Sequence, residues 1–293
     1  MSSIRRHRAH PHRQFERSVG WSGRGGTLSI VIPAKDEAAN LPPLLEEIAR
    51  AFRPLVGSSG GGHRLDGFEV VIVDDGSTDD SRAVLERLVV DYPELRPLIL
   101  SSNVGQSAAT VAGIRESTGA WVGLLDADLQ NPPSDLAAMW QVLPGHDAAL
   151  GWRTTRQDRW TKRVVSRIAN RIRNAVLGQS IRDTGCSVRI IARSFAERLP
   201  GFAGGHRFFG PLLLRDGARI VQIPVTHRPR VRGKSHYHFG NRSVRVVVDL
   251  LGVAWLLRRP VRYEVASGGR AAESGLDLMG LARVRAERRR VVG

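Results

Sequence analysis

Short apolar runs that alternate with helical segments constrain the fold of this chain more than any other feature. The runs are rich in β-branched residues and predict buried strands at residues 28–33, 68–73, 97–101, 120–126 and 148–153. Apolar periodicity and capping residues predict helices between them, at residues 40–52, 103–117 and 134–143, and one that follows a capping box at residues 77–80 and ends at residue 91. This alternation is typical of an α/β fold, with a mostly parallel sheet and helices on both faces.

The second half of the chain predicts further elements and two polar ends. A helix at residues 159–177 precedes strands at 187–192 and 219–225, with a helix at 208–215 between them. We expect four regions: a disordered basic segment at residues 1–26, an α/β domain at 27–240, an amphipathic helix at 241–262 and a mobile Arg-rich tail at 263–293.

Polar clusters that contain acids follow three of the predicted strands, and the first cluster is residues 33–37 (PAKDE). Asp74 and Asp75 follow one strand, and the stretch GLLDADLQNPP places Asp126, Asp128 and Gln130 at the end of another. In an extended segment these three side chains would share one face. Their oxygens are the ligands that a hard cation prefers, although a strand end with solvated acids is the simpler alternative. In open α/β sheets, ligands bind beyond the carboxyl ends of the strands, so the clusters should share one cleft.

The charge of the chain favours an anionic partner. The 293 residues carry 44 Lys and Arg against 28 Asp and Glu, a formal net charge of +16. Nucleic acid, anionic lipid headgroups and phosphorylated substrates are all compatible with that excess. The single cysteine, Cys186, excludes an intrachain disulfide and is expected to be a small buried apolar residue.

No sequence segment predicts secretion or membrane insertion. The Arg- and His-rich start has no apolar core of a signal peptide, and no run reaches the ~20 apolar residues of a membrane-spanning helix. We therefore expect a cytoplasmic protein that lies peripherally on the cytoplasmic face of a membrane.

Three motifs and their order resemble those of family-2 glycosyltransferases with the GT-A, Rossmann-like fold. The motifs are residues 28–37 (LSIVIPAKDE), 73–77 (VDDGS) and 126–130 (DADLQ). Downstream, residues 151–153 (GWR), 183–187 (DTGCS) and 230–237 (RVRGKSHY) are similar to the polyprenyl-phosphate branch, of which dolichyl-phosphate mannose synthase is a familiar member. The resemblance covers about residues 27–257.

The resemblance implies inverting transfer of a sugar from a nucleotide-diphosphate sugar to a polyprenyl phosphate. It implies a Mg²⁺ or Mn²⁺ ion on Asp128 and Gln130, and catalytic roles for Asp126, Asp128 and Arg230. The implied contacts to the donor are Pro33, Ala34, Glu37, Asp75 and Asp126. The implied contacts to the acceptor phosphate are Arg153, Arg163, Ser166, Arg230 and His236.

Two positions depart from the family pattern. Lys35-Asp36 stands where the family usually has Tyr-Asn, which removes an aromatic ring near the nucleotide. His236 stands where the family usually has Lys, which replaces a permanent cation with a group that titrates near neutrality.

The final helix has the composition of a helix that lies on a membrane surface. Basic residues flank its apolar face at Arg242, Arg245, Arg258 and Arg259. The expected apolar face comprises Val246, Val247, Leu250, Leu251, Val253, Ala254 and Leu257. Packing of this face against the protein core is the alternative.

Three other functions compete with this interpretation. A glycosyltransferase with a soluble saccharide or protein acceptor would need a carboxylate base for a hydroxyl, and the sequence offers no clear candidate. A basic nucleic-acid-binding protein fits the charge but leaves the acidic strand ends unexplained, so we expect no nucleic-acid partner. A phospho-receiver domain would explain Asp74-Asp75 but is shorter than this chain.

Overall fold

A computed structural model of the chain describes residues 26–58, 63–154, 181–229 and 242–259, all within one compact unit, Gly23–Val261. The strands are β1 (Gly26–Ala34), β2 (Leu65–Asp74), β3 (Leu95–Ile99), β4 (Trp121–Leu124), β5 (Ala148–Arg153), β6 (Arg189–Ala192) and β7 (Ile220–Val225). The α-helices are α1 (Leu41–Phe52), α2 (Ser81–Asp91), α3 (Gln106–Glu116), α4 (Pro133–Gln141), α5 (Arg193–Ala196), α6 (Phe209–Arg215) and α7 (Arg242–Leu257). Short 3₁₀ turns cover Arg53–Leu55 and Gly205–Phe208.

In the described part of the chain, the strands form one seven-stranded sheet in the order β3-β2-β1-β4-β6-β5-β7. The pairs β1–β2, β1–β4, β2–β3 and β5–β7 are parallel, whereas β6 is antiparallel to both of its neighbours. The prediction of a mostly parallel α/β sheet is therefore confirmed. Because β6 runs in the opposite direction, its first residues lie at the edge of the sheet where its neighbours β4 and β5 end.

Alternating side chains of the central strands pack on opposite faces of the sheet. In β1, Ile30 and Ile32 contribute to one hydrophobic cluster, and Val31 contributes to the other. In β2, Ile72 joins the first cluster and Val73 the second. Helices α1 and α4 cover the first face, and α3 and α6 cover the second. Both faces are buried, as the continuous apolar strands predict.

The ends of several elements differ from those predicted. Strand β4 ends at Leu124, two residues before the predicted end, and α3 begins at Gln106 instead of residue 103. In both places polar residues form turns whose side chains bond to neighbouring loops. The predicted helix at 159–177, the basic N-terminal segment and the Arg-rich tail lie outside the described residues.

Helix α7 packs against the core through four of the residues that the sequence analysis assigned to its membrane-facing side, so that assignment is wrong for these four. Val253 and Ala254 are buried, and Leu250 and Leu257 are partly buried against the same cluster as α3 and α6. On the opposite side, Val248, Leu251 and Trp255 are 61%, 59% and 58% exposed. None of the described helices combines the length and hydropathy of a membrane-spanning segment.

Asp36 ties the turn after β1 to the turn after β2. Its backbone is left-handed, with φ of 55°, a conformation that Asp and Asn tolerate better than most residues. Its Oδ1 accepts hydrogen bonds from the backbone N–H of Thr78 at 2.6 Å and from the Thr78 hydroxyl at 3.1 Å. Lys35 Nζ donates to Asp36 Oδ2 at 3.0 Å and to the carbonyl of Gly76 at 3.1 Å. Lys35 and Asp36, which stand where the family usually has Tyr-Asn, thus form one structural unit.

These contacts predict an acid-dependent stability. The pKa of Asp36 is lowered to about 2, mainly by the backbone N–H of Thr78. A carboxyl with a lowered folded-state pKa stabilises the protein above its unfolded-state pKa of about 4, and that contribution is lost as the pH falls toward 2. Asp36→Asn keeps a residue tolerant of the turn but removes the charge. We expect it to reduce the free energy of unfolding by about 1–2 kcal/mol at neutral pH, and the difference to shrink at acid pH.

Urea unfolding of both proteins between pH 7 and pH 2.5 measures this difference. Asp66→Asn is the control, because it removes an exposed ion pair with Arg64 that should contribute little. A constant difference between wild type and Asp36→Asn across the pH range would contradict the prediction.

Candidate functional site

The polar residues at the carboxyl ends of β1, β2 and β4 lie at one edge of the sheet. Pro33 and Ala34 end β1, and the backbone N–H of Asp75 donates to the carbonyl of Ala34 at 2.9 Å. Glu37 lies in the turn after β1, where its carboxylate accepts a hydrogen bond from the Asn40 amide. Asp126 follows β4, the neighbour of β1 on its other side. The structure therefore brings these five predicted donor residues to the same edge.

Asp75 is buried and organises the start of α3. Its carboxylate accepts hydrogen bonds from the backbone N–H of Val104 at 2.7 Å, the N–H of Gly105 at 2.9 Å and the Asn103 amide at 3.0 Å. The adjacent Gly76 has φ of 61°, and a Cβ there would lie 2.5 Å from the backbone N of Asn103. The two turns therefore approach so closely that only glycine fits.

Asp126 lines a small pocket at the same edge that is partly open to solvent. Gln106 donates to Asp126 Oδ1 at 3.0 Å. Burial raises the pKa of Asp126, and the charge of Asp128 raises it further, whereas Ser187 and the cations Arg189 and Arg153 act in the opposite direction. The two acids of the DADLQ stretch are therefore close enough to repel each other.

The DADLQ stretch forms a turn, so the prediction that Asp126, Asp128 and Gln130 share one face of a strand is wrong. Leu129 has a left-handed φ of 60°, and Asp128 Oδ1 accepts the backbone N–H of Gln130 at 3.2 Å. Compact turns of this kind allow a short segment to direct several polar groups toward one region. All of these candidate ligands are oxygen donors, as a hard cation requires.

The loop after β7 is hydrogen-bonded to this turn. The backbone N–H of Arg228 donates to the carbonyl of Gln130 at 2.7 Å, and Gln130 Nε2 lies 3.3 Å from the carbonyl of Arg228 and 3.5 Å from His227 Nε2. The buried Asn131 donates to the carbonyl of Thr226 at 2.8 Å. These bonds fix the segment that leads directly into residues 230–237, one of the motifs of the predicted acceptor site.

Arg153, which is predicted to contact the acceptor, forms a bidentate ion pair with Asp183 at the end of β5. Its Nε donates to Asp183 Oδ2 at 2.7 Å and its Nη2 donates to Oδ1 at 3.0 Å. Cys186, in the same segment as Asp183, is buried, and burial raises the pKa of its thiol to about 11. The expectation of a small buried cysteine is confirmed.

The sequence analysis assigned no role to four residues that lie at this edge, namely Gln106, Asp183, Arg189 and His206. Arg189 is buried; it donates to the carbonyl of His206 at 2.9 Å and to that of Cys186, and burial lowers its pKa. His206 Nδ1 lies 2.6 Å from the hydroxyl of Ser107 and, with Gln106, lines the pocket around Asp126. Asp183 belonged to a recognised motif but had no assigned role. A buried charge in an apolar strand, such as Arg189 in SVRII, was the available signal.

Four predicted acceptor residues cannot be placed. Arg163, Ser166, Arg230 and His236 lie outside the described residues, so their roles stay predictions.

Comparisons with known proteins give a consistent result. The model of the family described as "Glycosyl transferase family 2" matches residues 29–199. Dodecaprenyl-phosphate galacturonate synthase of Rhizobium johnstonii is 33% identical over 261 residues, covering 87% of this chain and 73% of that protein. Undecaprenyl-phosphate 4-deoxy-4-formamido-L-arabinose transferase of an Enterobacter species is 32% identical over 254 residues, covering 86% and 74%.

Solved structures share the fold. Mannosyltransferase PcManGT from Pyrobaculum calidifontis, in complex with GDP-Man and Mn²⁺, has a TM-score of 0.58 and 20% identity, covering 82% of this chain and 66% of that one. Glucosyl-3-phosphoglycerate synthase from Mycobacterium tuberculosis, in complex with Mn²⁺, UDP and glucosyl-3-phosphoglycerate, has a TM-score of 0.54 and 20% identity, covering 81% and 82%. The predicted GT-A fold is confirmed.

The contacts of Asp75 predict a structural effect that does not depend on any ligand. Asp75→Asn preserves the shape of the side chain but replaces one acceptor oxygen with a donor that faces the N–H groups of Val104 and Gly105. Since an unpaired or opposed buried polar group is costly, we expect the free energy of unfolding to fall by about 1–3 kcal/mol. Chemical denaturation followed by circular dichroism measures this change. Asp91→Asn, at the end of α2, is the control, and equal stabilities of the two variants would contradict the assignment.

Proposed function

Because the chain belongs to glycosyl transferase family 2, we propose that it transfers a sugar from a nucleotide-diphosphate sugar to a polyprenyl phosphate, with inversion at the sugar carbon. The observation that carries this proposal is the similarity, over 86–87% of the chain, to relatives named for dodecaprenyl- and undecaprenyl-phosphate. The product would be a polyprenyl-phosphate sugar for cell-envelope glycan or lipid modification. The residues predicted to contact the nucleotide sugar lie at one edge of the sheet, which supports the same assignment.

The donor would bind along the carboxyl edge between the β1 turn and the β4 turn. Pro33, Ala34 and Glu37 would shape the pocket for the base and ribose, and Asp75 would accept a hydrogen bond from the base. An ionised carboxylate has about four acceptor positions. The three donors from residues 103–105 hold Asp75 in place through four hydrogen bonds, and the longest of them, from the N–H of Gly105 to Oδ1 at 3.3 Å, is the one that a bond from the base would replace.

The residues after β4 fit a divalent cation. Asp128 and Gln130 would hold Mg²⁺ or Mn²⁺, and two protein ligands are typical where substrate phosphates complete the coordination of Mg²⁺. When bound, the cation would neutralise charge on the departing nucleotide diphosphate. Asp126 lies beside these ligands in the pocket, where Gln106 and Ser187 hold its carboxylate.

The acceptor would need no protein base. A phosphate monoester has its second pKa near 6, so the polyprenyl phosphate is already an anionic nucleophile at neutral pH. The protein must instead hold this anion in line with the sugar carbon. The cations proposed for this task are Arg153 and Arg163, with Ser166, Arg230 and His236. Arg230 would make the catalytic contact.

The exposed apolar side of α7 is proposed to contact the cytoplasmic face of the membrane that contains the acceptor. Val248, Leu251 and Trp255 follow each other at helical spacing on this side. The guanidinium of Arg259 lies 5.2 Å from the centre of the Trp255 ring, so a cation accompanies the apolar stripe. Apolar side chains with adjacent cations suit the headgroup layer of an anionic membrane, whereas Val253 and Ala254 hold the helix on the protein.

A transfer assay tests the proposed reaction. Purified protein is incubated with undecaprenyl phosphate, Mn²⁺ or Mg²⁺ and a panel of labelled UDP- and GDP-sugars, and label is measured in the lipid phase. We expect Asp128→Ala to reduce transfer on the order of 100-fold or more, because charge on the leaving group is no longer compensated. Loss of Mn²⁺ binding, followed by electron paramagnetic resonance, should accompany this loss of transfer.

Asp66→Ala, in an exposed ion pair remote from the strand ends, is the control and should transfer at the wild-type rate. Normal transfer by Asp128→Ala would show that the metal assignment is wrong. Label that enters only water-soluble saccharide would instead favour a soluble acceptor.

Sedimentation with liposomes tests the membrane contact. The double variant Leu251→Glu, Trp255→Glu should bind vesicles of phosphatidylglycerol at least about 10-fold more weakly than wild type, because two apolar contacts become charged. Val90→Glu, at an 84% exposed apolar position on α2, is the matched control and should bind normally. Equal loss of binding in the control, or no loss in the double variant, would refute a specific role of α7.

A further inference from the structure

The carboxylate of Asp183 is fully engaged in hydrogen bonds. Its Oδ1 accepts from Arg153 Nη2 at 3.0 Å and from the backbone N–H of Gly185 at 3.1 Å. Its Oδ2 accepts from Arg153 Nε at 2.7 Å and, more weakly, from the backbone N–H of Arg153 at 3.4 Å. An ionised carboxylate offers about four acceptor positions. These four bonds therefore occupy the capacity of Asp183.

The segment that carries Asp183 is held rigidly against the end of β5. The backbone N–H of Gly151 donates to the carbonyl of Val188 at 2.9 Å, and the buried Cys186 packs where a side chain on Gly151 would come within 3.0 Å of its sulfur. A Cβ on Gly185 would lie 3.1 Å from Arg153 Nη2. The absence of a side chain at residue 185 thus leaves room for the guanidinium beside the loop.

The pairing leaves one side of the Arg153 guanidinium available. Within the described residues, Arg153 donates through its backbone N, Nε and Nη2, and Nη1 makes no hydrogen bond to protein. The side chain is 16% exposed, at the end of β5 on the same sheet edge as Asp126. Burial opposes the charge of Arg153, but the bonds to Asp183 outweigh it and raise the arginine pKa.

We propose that Asp183 is a positioning residue. Its hydrogen bonds hold the Arg153 guanidinium in the orientation in which Nη1 of Arg153 binds the acceptor phosphate, and Asp183 does not act as a general base. This inference rests on the proposed function and narrows it. An acceptor that arrives with an ionised phosphate needs a fixed cation and no proton removal. A hydroxyl acceptor would need a carboxylate with a free lone pair, which Asp183 gains only by releasing Arg153.

Asp147 and Arg219 provide a matched control at the opposite end of the same strand. Arg219 Nε donates to Asp147 Oδ2 at 3.0 Å and Nη2 donates to Oδ1 at 3.1 Å, with the backbone N–H of Arg219 at 2.9 Å from Oδ2. This pair repeats the geometry of Asp183 and Arg153 next to residues where β5 and β7 begin, away from the strand ends that form the site.

The experiment compares Asp183→Asn, Asp147→Asn and wild type in steady-state transfer to undecaprenyl phosphate. We expect Asp183→Asn to raise the acceptor KM about 10- to 100-fold, because a misplaced guanidinium no longer fits the phosphate. The donor KM should change less than about 2-fold, and Asp147→Asn should leave both constants unchanged. The acid limb of the kcat profile should persist in Asp183→Asn, since we assign it to the acceptor phosphate with its pKa near 6.

Gly185→Ala is a second variant that retains both charges. Its added methyl group would press on Arg153 Nη2, so the acceptor KM should again rise while the donor KM is retained. Thermal unfolding of each protein will show whether it is folded. If Asp183→Asn does not fold, Gly185→Ala alone tests whether the position of Arg153 controls the acceptor KM.

Two results would overturn the inference while wild-type protein remains active on polyprenyl phosphate. One is an unchanged acceptor KM in the folded variants. The other is a loss of kcat with unchanged acceptor KM and a missing acid limb in Asp183→Asn, which would identify Asp183 as a base. If wild-type protein transfers sugar to a hydroxyl acceptor and never to the lipid phosphate, the proposed function itself is wrong.

Discussion

Carboxylates placed at the carboxyl edge of a buried sheet must be compensated, and the local structure of this protein depends on how that is done. Asp75 accepts hydrogen bonds from backbone N–H groups just before α3, and Asp36 accepts them from Thr78 and Lys35. Asp183 accepts two hydrogen bonds from the Arg153 guanidinium. Except for Lys35, which is adjacent to Asp36, each of these donors comes from a different segment of the chain from its acceptor. Satisfying the acids therefore also fixes the turns that surround the edge.

Asp126 is compensated less completely than these acids. Gln106 and Ser187 bond to it, but burial and the neighbouring Asp128 still raise its pKa. A pocket that contains such an acid favours added positive charge, which is what a divalent cation on Asp128 and Gln130 would supply. The same turn is bonded to the loop after β7 through Gln130 and Asn131, so the proposed donor and acceptor regions share one structural support.

The antiparallel direction of β6 completes the site. Because β6 runs against its neighbours, Arg189 at its start and the preceding residues 183–187 lie at the edge where β4 and β5 end. A parallel strand in this place would have carried these residues to the opposite edge. The pair of Arg153 and Asp183, and the contact of Ser187 with Asp126, both follow from this reversal.

The pattern of residues along the chain was sufficient to predict the parallel core and the residues that follow its strands. Apolar β-branched runs have no stable alternative to burial, and chain order alone places the ends of β1, β2 and β4 together; the acids at 75, 126 and 128 could therefore be assigned to one edge. The groups that compensate these acids could be identified only from the folded chain. Whether Asp126 and Asp128 lie on a strand or in a turn depends on the backbone of Leu129. The partner of Asp183, the burial of Arg189 and the split of α7 between core and solvent depend on segments distant in sequence, and local patterns carry no information about such contacts.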